Sequence, residues 1–172
     1  MDDERLTKRL LARPPQSADI GAYRNLFLDP VVGEWLRPEP LPPFRETDLQ
    51  EMLDNDERHW ADHGFGPWVL QELEGGAVVG RAGLRWTELD DRLAVELPWA
   101  VGSPYWGQGY ATEAAVAAIA WGESLGLPEV VALVMAVNRR SRRVAEKAGM
   151  REDGSTEHAG LPHLVYRYDF GA

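Results

Sequence analysis

The sequence predicts an α/β fold with a mixed sheet, and three observations carry that prediction. A strand-like run, residues 92–101 (RLAVELPWAV), leads through a glycine turn into an alanine-rich helix over residues 109–126. The helix stops at Leu127-Pro128, and residues 129–137 (EVVALVMAV) form the continuous apolar run expected of a buried parallel strand. Strand, helix and strand in that order make a right-handed crossover. Ahead of them lie short runs separated by turn signals, the mark of an antiparallel meander.

Taken in order, residues 5–12 (RLTKRLLA) read as a first strand ended by Pro14-Pro15. Ser17 or Asp19 can cap a helix over residues 18–28, whose Ile20, Tyr23, Phe27 and Leu28 share helical spacing. A short piece, 31–36, follows Pro30, and the prolines of residues 37–44 break regular structure. Residues 45–63 read as a helix with Leu49, Met52, Leu53 and Trp60 on its apolar side. Strands are expected over 66–72 and 77–86, joined by the hairpin signal Glu74-Gly75-Gly76, and then over 92–101 after Leu89-Asp90-Asp91. Pro98 has no N–H for a ladder, so that last strand must bulge or part from a neighbour there unless it is an edge. After the crossover, residues 138–148 read as a helix stopped by Gly149, and 150–157 and 161–170 as closing strands.

Composition bounds the function. The 172 residues, 44% hydrophobic and 27% charged, suit one domain spanning 1–172 with a real core. The net charge of −10 argues against nucleic acid as a partner. No apolar run approaches the roughly 20 residues of a membrane span, and the polar start is no signal peptide. There is no cysteine, which excludes disulfides and thiolate catalysis and fits a cytoplasmic protein. The four histidines, 59, 63, 158 and 163, form no convincing metal set, so no metal is expected.

The chemistry concentrates in residues 103–118 (SPYWGQGYATEAAVAA). Gly107, Gly109 and Ala111 bare the backbone N–H groups on one side of the turn, and the helix start adds unpaired N–H groups and partial positive charge. Such a turn binds an anion, usually a phosphate. No Gly-Lys-Ser/Thr follows, so it is not a P-loop, and G-x-G-x-A is not the dinucleotide fingerprint. A second segment, residues 137–150 (VNRRSRRVAEKAGM), places Arg139, Arg140, Arg142 and Arg143 at a helix start, where positive charge is normally unfavourable. The cluster either neutralises an anion or forms a solvated face paired with acids such as Glu146.

These two segments together resemble the GNAT N-acetyltransferase superfamily. Its phosphate loop reads Arg/Gln-x-x-Gly-x-Gly/Ala; here Trp106, Gly109 and Ala111 take those places. Trp106 departs from the superfamily but matches the branch acting on ribosomal-protein N-termini and its small-molecule-modifying relatives. Asn138, Ser141 and 146–150 (EKAGM) match the second motif. The resemblance implies a GNAT fold, a mixed, splayed central sheet of about seven strands with helices on both faces. It also implies acetyl-CoA as co-substrate. The pantetheine arm would lie along Trp99, Ala100 and Val101 and meet Asn138. The pyrophosphate would rest on N–H groups of Gln108, Gly109, Tyr110, Ala111 and Thr112, with Trp106 and Gly107 as further cofactor-binding residues of the loop. Independently of the resemblance, the cluster Arg139, Arg140, Arg142 and Arg143 is expected to meet the 3′-phosphate of coenzyme A, with Arg139 and Arg142 as the expected cofactor contacts. Residues 35–60 would help wall the acceptor pocket.

Acetyl transfer to a primary amine by direct attack needs a neutral amine, an oxyanion donor and a way for the thiolate to leave. Glu96 is the candidate base, with pairing to Arg81 or Arg85 as its structural alternative. A backbone N–H near Ala100 or Val101 is the candidate oxyanion donor. Many superfamily members carry a tyrosine seven residues after the asparagine; here that position is Ala145. Ser141 is the candidate substitute acid, with helix capping as its alternative role. The expected partner is an amine, either a small molecule or a protein N-terminus, and the expected state a monomer or homodimer. A catalytically inactive coenzyme A-binding sensor is the alternative function.

Overall fold

The computed structural model describes residues 3–171. The seven expected strand segments are all present, but three of them are broken in two. The first is a small hairpin, β1 (Arg5–Leu6) and β2 (Leu10–Arg13), because the chain reverses over residues 7–9. Thr7 closes that reversal: its backbone N–H donates to Leu10 O at 2.9 Å and its hydroxyl accepts from Leu10 N at 2.9 Å.

The other two breaks divide the sheet. After β3 (Pro67–Glu72), residues 77–86 split into β4 (Val78–Gly83) and the start of β5 (Arg85–Leu89). Gly83 makes the break: its φ is +146°, and a Cβ there would come within 2.7 Å of Gly66 O. Residues 92–101 split at Leu97-Pro98 into β6 (Arg92–Glu96) and β7 (Trp99–Val101). The chain thus carries ten strands among its described residues, in two five-stranded sheets ordered β1-β2-β3-β4-β7 and β5-β6-β8-β10-β9. Here β8 is Glu129–Met135, β9 Arg151–His158 and β10 Leu161–Asp169.

Parallel pairing is confined to one point. Glu96 of β6 sits opposite Val131 of β8, and Leu97 N donates to Val131 O at 2.8 Å. Beyond it Pro98 supplies no N–H, and β7 turns to pair with β4 instead. The strands β7 and β8 therefore diverge, and β7 ends its sheet with one edge that no strand among the described residues pairs.

Helices cover both faces of the first sheet. Along β3, Trp68 and Leu70 face one core and Val69 the other, as strand alternation requires. On the first face lies α4, Tyr110–Ser124, counting α1 (Ile20–Phe27), α2 (Pro30–Leu36) and α3 (Glu46–His63) before it. Its Ala114, Ala115 and Ala118 are buried, which lets the helix approach closely, and its Trp121 stacks on Trp68 with centroids 4.4 Å apart. The second face holds α1 to α3 through Tyr23, Leu26, Leu49 and Leu53. Asp56 of α3 is locked to Arg81 of β4 by two bonds of 2.6 Å, and Tyr23 of α1 donates to the same carboxylate at 2.6 Å. The last helix, α5 (Arg139–Lys147), packs on α4 and β8. No helix among the described residues is long and apolar enough to cross a membrane.

Candidate active site

Two cavities meet where the sheets part. The first, of about 460 Å³, runs from the glycine turn past β7 to the start of α5. Gly107 and Gly109 have φ of +76° and +85°, a left-handed geometry that side chains strain to adopt. Gly109 is the N-cap of α4, so the N–H groups of Tyr110, Ala111 and Thr112 lack helical acceptors and point at the turn. Nothing lies within 4 Å of where a Gly107 Cβ would be, so the turn offers bare backbone to the cavity.

The turn is clamped from both sides. Trp106 Nε1 donates to Val101 O at 2.6 Å, and the Arg140 guanidinium lies 4.8 Å from the Trp106 ring centroid. On the other side Arg9 donates to Gln108 O at 2.8 Å and to Glu113 Oε2 at 2.7 Å, and it stacks over Tyr110. Glu113 also accepts from Thr7 Oγ1 and Arg9 N, and these bonds hold its carboxyl below the usual range against the opposing effect of burial. Tyr110 donates to Glu72. Sequence reasoning missed Arg9, whose partners lie about a hundred positions away.

The free edge of β7 presents alternate residues. Gly102 N donates to Val79 O at 2.9 Å, and a Cβ on Gly80 would come within 2.3 Å of Ala100 O. Ala100 therefore directs its backbone polar groups to β4, and alternation leaves the N–H groups of Trp99 and Val101 on the cavity side. Of the expected oxyanion donors, the Val101 N–H faces the cavity and the Ala100 N–H does not.

Of the expected cofactor residues, Trp99, Ala100, Val101, Trp106, Gly107, Gly109, Tyr110, Ala111, Thr112 and Asn138 line this first cavity, together with Ser141. Gln108, Arg139 and Arg142 do not. Gln108 is exposed, with its amide nitrogen on Pro104 O. Arg139 is exposed, and Arg142 turns inward to Tyr166 and Glu152. Arg140, Arg143 and Lys147 take their place at the cavity wall. Their spacing puts them on one helical stripe, a signal present in the sequence.

The second cavity, of about 370 Å³, lies across the opening and shares Trp35, Leu36, Trp99, Ala100, Asn138 and Ser141 with the first. Leu41, Phe44 and Met52 contribute to its wall, as does Glu96. Glu96 is 5% exposed, and Arg85, its cross-strand partner, donates to Oε2 through Nε and Nη2 at 2.9 and 2.8 Å. Its Oε1 accepts no bond among the described residues. His158 and His163 line the same cavity, rings T-shaped at 5.5 Å. Burial pushes the His158 imidazole below the ordinary histidine range, and the charge of Glu96 acts in the opposite direction. Sequence reasoning weighed these histidines only as metal ligands.

Ser141 stands at the junction. Its backbone N–H donates to Asn138 Oδ1 at 3.1 Å, so Asn138 is the cap of α5. The capping alternative for the Ser141 side chain is thereby removed: its hydroxyl makes no hydrogen bond among the described residues. Ala145, where a tyrosine would stand in many GNAT members, is fully buried in the core.

A family model for the acetyltransferase (GNAT) domain matches residues 9–151. The chain belongs to the GNAT acetyltransferases. The uncharacterized N-acetyltransferase YnaD of Bacillus subtilis is 37% identical over 149 residues, covering 86% of this chain and 82% of that protein. An acetyltransferase from Agrobacterium tumefaciens superposes with a TM-score of 0.80 at 32% identity, covering 96% of this chain and 93% of that one. RimJ of Mycobacterium smegmatis, solved in complex with CoA-disulfide, shares the fold at TM-score 0.77 and 22% identity, covering 98% of this chain and 87% of that one. As in those GNAT structures, the core of this acetyltransferase is a mixed α/β arrangement, and the branch resembling ribosomal-protein acetyltransferases is represented among its structural neighbours.

Proposed function

We propose that the protein moves an acetyl group from acetyl-CoA in the first cavity to a primary amine in the second. The observation that carries this reading is the shared wall: the two cavities meet at Trp99, Ala100, Asn138 and Ser141, between a phosphate-type turn and a buried carboxylate. The residues present fit coenzyme A. The turn supplies bare N–H groups for a pyrophosphate, the free β7 edge supplies the N–H groups of Trp99 and Val101 for an amide-bearing arm, and Arg140, Arg143 and Lys147 supply charge for a further phosphate. RimJ, a structural neighbour, was solved with CoA-disulfide, which agrees with this assignment.

Acetyl-CoA brings an activated thioester, so no nucleophilic side chain is needed, consistent with a chain that has no cysteine. His158 and Glu96 form the proton-accepting pair. The imidazole is neutral at pH 7, because its pKa lies below the ordinary value of about 6.5, and it can take a proton from the attacking amine. Glu96 holds the resulting charge and is itself fixed by Arg85. One of the two N–H groups on the free edge of β7, Val101 or Trp99, donates to the developing oxyanion and leaves the other for the arm. The Ser141 hydroxyl, unengaged at the junction, donates to the departing sulfur. Coenzyme A release measured over a panel of primary amines tests the reading. Amine-dependent release above the hydrolytic background is expected; acetyl-CoA binding with no amine-dependent release would contradict it.

A further inference from the structure

The charge lining the second cavity is opposite to the charge of the chain. The protein has 28 acidic and 18 basic residues, yet three arginines, Arg37, Arg81 and Arg85, face this cavity against one carboxylate, Glu96. The acids that balance Arg37 and Arg81 are Asp48 and Asp56, and neither lines the cavity. They stand behind the guanidinium groups. Glu96 is already bonded by Arg85. A ligand therefore meets one carboxylate, Glu96, against three guanidinium groups, and a second ammonium would find no further carboxylate in the wall.

The three arginines are not equally available. Arg81 is 6% exposed and spends Nε and Nη2 on Asp56; Arg85 spends Nε and Nη2 on Glu96. The Arg37 guanidinium has a single hydrogen bond among the described residues, Nη1 to Asp48 at 3.2 Å, and the side chain is 32% exposed. Its Nε and Nη2 have no acceptor among the described residues. The Arg37 Cζ lies over the Phe44 ring, 4.2 Å from the centroid, a cation–π contact that holds the guanidinium at the cavity wall. Apart from Asn138, Ser141 and the two histidines, the rest of the wall is mostly apolar and includes Phe27, Leu41, Met52, Leu133 and Leu161.

We propose that the acceptor is a small monoamine with an apolar or aromatic body and one carboxylate, and that Arg37 binds that carboxylate. This rests on the second cavity being the acceptor site. A polyamine or polycationic sugar is the wrong charge for it. A protein N-terminus would place neutral backbone where the arginine fork stands.

Calorimetry on the protein saturated with coenzyme A tests the proposal without requiring turnover. Two matched pairs serve as probes: phenylalanine with phenethylamine, and 4-(aminomethyl)benzoate with benzylamine. Spermidine and an alanyl tripeptide amide complete the set. In at least one pair the carboxylated member binds ten or more times tighter than its twin, and tighter than spermidine or the peptide. In Arg37→Met the ratio within that pair falls to about one, and Arg37→Lys restores part of it; a folding defect would weaken both twins and leave the ratio alone. Equal affinities in both pairs, no binding by any probe, or tightest binding of spermidine or the peptide overturns the proposal. Carboxylate preference without acetyl transfer would contradict the transferase reading, and with it the name acceptor, but would leave Arg37 as the carboxylate-binding residue of the cavity. Transfer without preference would do the reverse.

Discussion

Ser141 illustrates how one residue separates a structural from a chemical role. Its backbone is held by Asn138, but its hydroxyl is unengaged and lines both cavities. Ser141→Ala should therefore lower kcat on the order of tenfold to a hundredfold. The unfolding midpoint should stay within about a degree, since no cap is lost. Measuring both on the same variant checks this, and a normal kcat would remove Ser141 from the mechanism. His158 carries the pH dependence. A base whose folded pKa is lowered works in its neutral form, so kcat should be full at pH 7 and fall only as pH drops through a value below about 6.5. Because the Glu96 charge raises the His158 pKa, Glu96→Gln should move that acid limb to lower pH. His158→Gln should abolish the limb and cut kcat at pH 7 by about a hundredfold. A limb that disappears in Glu96→Gln and survives in His158→Gln would make Glu96 the base.

At the scale of elements, α5 presents two stripes of arginine with different fates. Arg142 turns toward Tyr166 and Glu152, while Arg140 and Arg143 face the first cavity beside Lys147. Removing Arg140 or Arg143 should weaken coenzyme A by about 1.5–3 kcal/mol and its 3′-dephospho form by much less. Arg139→Gln should affect neither. Equal losses for both forms of the cofactor would mean that the stripe does not read the 3′-phosphate. The sequence marked the cluster but not the phase, although the buried Ala145 and Ala148 set it: Arg142 is one turn before Ala145, and Arg140 and Arg143 lie to the side. The other elements were legible for local reasons. The apolar run of β8, the alanines of α4 and the prolines after α2 act over a few residues, so they show in the chain itself. The N-terminal hairpin was read as one strand because its reversal is made by a Thr7 side chain rather than by glycine or proline.

For the whole molecule, the decisive feature is that one expected sheet is two. Pro98 announced a disturbance in the strand, but the matching break at Gly83 depends on the close approach of Gly66 and Pro67, which no local pattern records. The cavities were illegible for the same reason: Glu96, His158 and Arg37 come from three distant stretches that the parted sheets bring together. The parting is braced by the buried Asp56, Arg81 and Tyr23 network, which joins α3, β4 and α1 beside the second cavity. Asp56→Ala would leave the Arg81 guanidinium buried without its partner, and denaturant unfolding should show a loss of about 3–5 kcal/mol. A loss below about 1 kcal/mol would mean that the network is not what holds these elements together.

The turn before α4 is proposed to bind the cofactor through bare backbone, and calorimetry of acetyl-CoA on Gly109→Asp tests this. The left-handed φ, the lost access to the N–H groups and the added carboxylate all act against a pyrophosphate there. Affinity should fall at least about a hundredfold while the fold, followed by circular dichroism, is retained. A folded variant that binds acetyl-CoA as tightly as the original protein would contradict it.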